Sequence, residues 1–60
     1  MNTEAIIWEI EYEWEREGGL EYVVSNIHGI LYDLGKHCDI TEKSYNEVVE
    51  YFENKLKKKK

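Results

Sequence analysis

Between Trp8 and Glu17 the chain reads WEIEYEWERE, a glutamate at every second position with Trp, Ile, Tyr, Trp and Arg between. A repeat of two is the period of a strand, and Ile, Tyr and Trp suit a sheet. Gly18 and Gly19 would then close a hairpin back along LEYVV, residues 20–24. In a helix, by contrast, each side chain turns about 100° from the last. Ile6, Ile7, Ile10 and Trp14 then gather on one side, and Ala5, Trp8 and Tyr12 on the other, with glutamates in the seams.

Two considerations favour the helix. Glutamate is a good helix former and is depleted in strands. A hairpin would also remove residues 20–24 from the clearest helix in the chain and leave a two-stranded sheet, which is marginal by itself. In that middle segment Leu20, Val24, Ile27, Leu31 and Leu34 recur at steps of four and three, with Val23 and Ile30 widening the stripe. Gly29 is the residue expected to admit a close neighbour, and Gly35 the one expected to form a left-handed C-cap. A third stripe, Tyr45, Val48, Val49, Phe52 and Leu56, follows Thr41 as N-cap and Glu42 in the first turn. There is no proline; Gly18-Gly19 and GKHCDIT (residues 35–41) are the breaks. The expected fold is all-α, a small three-helix bundle with helices near 4–17, 20–34 and 42–57. The alternative is α+β, an N-terminal hairpin followed by two helices. Residues 1–56 form one domain in this reading, and 57–60 a basic, disordered tail.

Sixty residues allow one domain, which buries only about 60% of its unfolded surface. The single cysteine, Cys38, excludes an internal disulfide, so stability must come from helix packing or self-association. No apolar run approaches the roughly 18 residues of a membrane span, and the N-terminus lacks the pattern of a signal peptide. A free thiol without such a signal predicts a cytoplasmic protein. The net charge is −5. Up to residue 21, seven glutamates face Arg16 alone, whereas the closing KLKKKK carries five lysines. An acidic body repels phosphates and favours basic partners.

The two-sided first helix points to function. One apolar face covers the other helices; the second, Trp8 and Tyr12, has no core left to enter. Exposed aromatic pairs anchor interfaces. The expected partner-binding set is therefore Trp8 and Tyr12 as anchors, framed by Glu11 and Glu15, with Glu9 adding to the charge. Spaced carboxylates among aromatics suit the basic groove of a nucleic-acid-handling protein, so the chain reads as a non-catalytic inhibitor or regulator. A structural homodimer using the same face is the alternative.

Other chemistries are weaker. His28, His37, Cys38 and Asp39 include three consecutive residues, which rarely converge on one metal, so neither metal nor cofactor is expected. Cys38 beside His37 would need a third group and a pocket that so short a chain hardly encloses. No enzyme activity is expected. A helix-turn-helix with Lys43, Ser44 and Asn46 at the start of a recognition helix is countered by Glu42, Glu47, Glu50 and Glu53 on that helix. The lysine tail lacks an apolar anchor for a membrane.

Overall fold

A computed structural model describes residues 2–59. The protein is all-α: helix α1 spans Thr3–Ile10, a π-helical turn spans Glu11–Glu15, α2 spans Arg16–Ser25, α3 spans Ile27–Gly35 and α4 spans Glu42–Lys59. These make three helical rods. The first runs from α1 through the π turn to Gly18, the second from Leu20 through α3, and α4 is the third. No strand occurs among the described residues, which removes the hairpin alternative. Leu20 and Val23, which a hairpin would have paired with the opening stretch, are buried among the apolar residues of all three rods.

The helix starts are fixed by side chains that satisfy free backbone donors. Asn2 caps α1, its side-chain oxygen accepting from the Ala5 N–H at 2.8 Å. Thr41 caps α4, its Oγ1 accepting from the Ser44 N–H at 3.1 Å. Thr3 then ties the two starts together, its hydroxyl donating to the Glu47 carboxylate at 2.7 Å and hydrogen-bonded to the Ser44 hydroxyl at 3.1 Å. Further along, Glu11 meets Tyr51 and Lys55, and Glu15 meets Lys55. Contacts that advance together on both elements mean that the first rod and α4 run in the same direction.

The π turn explains the opening alternation. In an α-helix a four-residue step overshoots a full turn by about 40°, so a row spaced by fours drifts around the rod. The Arg16 N–H instead reaches back five residues to the Glu11 carbonyl, widening that turn. Rows spaced by four therefore stay in line. Ile6 and Ile10 are fully buried, and Trp14 continues their row as a half-buried residue packed on the core. Trp8, Tyr12 and Arg16 form the opposite row, outside. The period of two in the sequence is two interleaved periods of four.

The core is Ile6, Ile10, Leu20, Val23, Ile27, Ile30, Leu31, Val48 and Phe52, with Ile7, Trp14, Val24, Leu34, Ile40, Tyr45, Val49 and Leu56 packed around it. In the second rod Val23 and Ile30 are central, while Val24 and Leu34 move to the margin. Asn26, at φ −117° and ψ 15°, interrupts that rod between α2 and α3.

Two sequence expectations are corrected. Gly29 brings no neighbour close, since a Cβ there would stand in open space. Gly35 is not a left-handed cap: α3 runs through it to Lys36 in a right-handed conformation, and Gly19 has the only positive φ among the described residues. Helix α4 extends into the lysine run as far as Lys59; lysine propagates a helix well and favours its C-terminal end. Met1 and Lys60 lie outside the described residues.

Gly19 sits at φ 84° and ψ 170°, a region that essentially only glycine enters. Gly19→Ala should destabilise the fold by about 1–3 kcal/mol. Gly29→Ala should stabilise it by about 0.5–1 kcal/mol, because the helix gains and nothing is crowded. Paired urea titrations check both signs.

Candidate functional site

The outer row of the first rod carries the most apolar surface that the first helix leaves uncovered. Trp8 is 61% and Tyr12 52% exposed. Their rings stack with centroids 5.3 Å apart and planes 11° from parallel. One turn on, the Arg16 guanidinium lies 5.4 Å from the Tyr12 ring centroid. Offset stacking of this kind contributes about 0.5–1.5 kcal/mol beyond area, and the cation adds a further attraction to the ring face. Both rings are thus held in place before anything binds. Trp14, one step round the helix, is half-buried against the core, so the two tryptophans have opposite surroundings.

The expected acidic frame divides. Glu9 is half-buried on the first rod. Glu11 and Glu15 are turned to α4: Lys55 donates to Glu11 at 2.9 Å and to both oxygens of Glu15 at 3.0 and 3.2 Å, and the Tyr51 hydroxyl donates to Glu11 at 3.1 Å. The carboxylates meant to frame the aromatic pair are therefore occupied inside the molecule. Glu13 and Glu17 are exposed. Lys55 and Arg16 are the residues that sequence reasoning missed. Lys55 follows Phe52 by three positions and so falls at the margin of the α4 stripe; that spacing was the available signal. Arg16 follows Tyr12 by four, as Tyr12 follows Trp8.

Burial alone would lower the Lys55 pKa, but its hydrogen bonds to Glu11 and Glu15 outweigh that and raise it above its ordinary 10.5. The Tyr51 phenol is also raised above 10.0, first by burial and then by the Glu11 carboxylate it binds. A raised lysine pKa stabilises the fold below its ordinary value, and that stability is lost as pH rises through the folded value. The tyrosine shift acts in the same direction, since its ionised form is disfavoured in the fold. Thermal stability should hold near neutral pH and fall above about pH 10. Lys55→Met should lower stability at neutral pH by about 0.5–1 kcal/mol, as a largely solvated ion pair does. The gap between variant and wild type should narrow under alkaline conditions; melting curves across that range measure it.

The remaining candidates have other surroundings. The His28 ring is hydrogen-bonded to the Tyr45 hydroxyl, and Cys38 is half-buried in the loop after α3. No group of three His, Cys, Asp or Glu side chains among the described residues could hold a metal ion. Ser44, offered above as a base contact, is buried and bonded to Thr3. Among the described residues no helix is long and apolar enough to cross a membrane. Comparison with protein families, with curated proteins and with solved structures returns no match.

Proposed function

We propose that this chain is a small cytoplasmic three-helix bundle that works without catalysis, by docking the outer face of its first helix onto a protein with a basic surface. Trp8 and Tyr12 are the anchors. Glu9, Glu13 and Glu17 supply the charge that steers the partner in and excludes acidic surfaces. Glu11 and Glu15 serve the fold through Lys55 rather than the interface. A basic site on a nucleic-acid-handling protein fits this combination, because aromatic anchors among carboxylates offer what its own ligand offers, stacking surface and negative charge. Blocking such a site makes the chain an inhibitor or regulator.

The observation that carries this reading is the stacked, exposed Trp8–Tyr12 pair on a helix whose other face is already in the core. Tyr12 itself belongs to the π-helical turn, and such turns recur at functional sites. The test is capture from a native extract on immobilised wild-type chain and on the Trp8→Ala/Tyr12→Ala variant. Basic proteins retained by the first and not by the second, and released by salt, support docking. Equal retention by both removes it.

A homodimer would use the same pair, and two flat ring pairs can face one another across a two-fold axis. Sedimentation at micromolar concentration separates the readings. A wild-type dimer that becomes monomeric in the double variant assigns the patch to self-association; a wild-type monomer leaves it for another protein.

A further inference from the structure

Where the first rod meets the second, Glu13, Trp14, Glu17, Gly18 and Tyr22 line an open cleft of about 450 Å³. Its shape depends on Gly18. A Cβ at that position would stand 2.3 Å from Tyr22 Cδ2 and 2.6 Å from Cγ, so the Tyr22 ring occupies the space a side chain would take. Glu13 and Glu17, one helical turn apart, have no hydrogen-bond or ion-pair partner among the described residues, whereas Glu11 and Glu15 share Lys55. Among the described residues no lysine, arginine or histidine lines the cleft. Two aromatic side chains and two carboxylates without a partner among the described residues therefore meet in one recess.

From this complementarity we infer that the cleft receives an arginine side chain of the docked protein. A guanidinium is planar, stacks on indole and phenol faces, and forks onto carboxylates with two parallel hydrogen bonds. An ammonium is a compact, strongly hydrated point charge and uses the ring faces less well. The cleft starts at Glu13, the residue after Tyr12, and lies on the same rod as the Trp8–Tyr12 stack. The inference rests on the docking reading above and adds what that partner presents: an arginine, with lysine a poorer substitute.

The test uses the full chain carrying Trp8→Phe, which leaves Trp14 as the sole tryptophan. Blocked hexaarginine and hexalysine peptides are titrated while Trp14 emission is followed. The expected result is a saturable change with hexaarginine, and affinity weaker by about tenfold or more with hexalysine. Glu13→Gln with Glu17→Gln should weaken hexaarginine binding by about tenfold or more. Glu50→Gln with Glu53→Gln, an equal charge change on α4, should alter it little. Gly18→Ala, with circular dichroism confirming the fold, should weaken it as well by displacing Tyr22. Equal losses from the two glutamine pairs would mean diffuse attraction only and would overturn the inference, as would an unmoved Trp14. The two readings fail separately. Retention of captured proteins that needs Trp8 and Tyr12, with Trp14 silent to hexaarginine, leaves docking and removes the cleft. Hexaarginine binding that needs Glu13 and Glu17, with capture indifferent to Trp8 and Tyr12, keeps the cleft and moves the docking face to it.

Discussion

Alanine at both Trp8 and Tyr12 is expected to weaken association about a thousandfold while leaving helical circular dichroism unchanged; a thousandfold is about 4 kcal/mol. The size follows from what is exposed. With 61% of Trp8 and 52% of Tyr12 open to water, covering both removes on the order of 200 Å² of largely apolar surface, worth about 5 kcal/mol before any cost of association. The stack makes that gain easier to realise, since rings already held at 5.3 Å lose little freedom on binding. The effect on the fold should be small for the same reason: neither ring belongs to the core. Titration against a captured partner gives the affinity, and a melting curve gives the control. A double variant that loses its helical signal would place the pair in the fold and withdraw it from docking.

Much of this architecture was legible because apolar spacing at three and four is set by the helix itself. The stripes of the second and third helices could be read directly, and the choice of helix over strand for the first followed from the glutamates. The sorting of that helix into one face with Ile6, Ile7, Ile10 and Trp14 and another with Ala5, Trp8 and Tyr12 could be read as well, though spacing left open which tryptophan the core takes. Three further things could not be read. The π turn depends on backbone bonds that reach back five residues, as from Arg16 to Glu11, and no residue type demands it. The break at Asn26 is stabilised by that residue's side chain donating to the Tyr22 carbonyl at 2.9 Å, inside a stretch whose spacing looks unbroken. The pairing of Glu11 and Glu15 with Lys55 is a contact between residues at least forty positions apart, which spacing along one helix does not encode. That last omission mattered most for the site, because it exchanged the inner carboxylates for Glu13 and Glu17 as the ones left facing outward.

Phe52→Ala should remove about 3–5 kcal/mol of stability, the cost of emptying a fully enclosed aromatic site. Phe52 is 0% exposed on α4, and it shares the core with Ile6 and Ile10 of the first rod and Leu20, Val23 and Ile27 of the second. Sixty residues at roughly 0.05–0.15 kcal/mol each hold a total of only about 3–9 kcal/mol, so this one change takes a third of it or more. The expected result is a melting midpoint lower by tens of degrees, with a large unfolded population near 25 °C in the weaker case. Phe52→Leu, which keeps most of the volume, should cost about 1–1.5 kcal/mol. Docking then offers a second readout. A partner that binds only the folded chain, supplied at about a hundred times its Kd, should restore about 2.7 kcal/mol to the alanine variant and recover helical signal. The same partner should restore nothing when Trp8 and Tyr12 are also alanine. Rescue that persists without those two rings would mean that the folded chain is being held by some other surface.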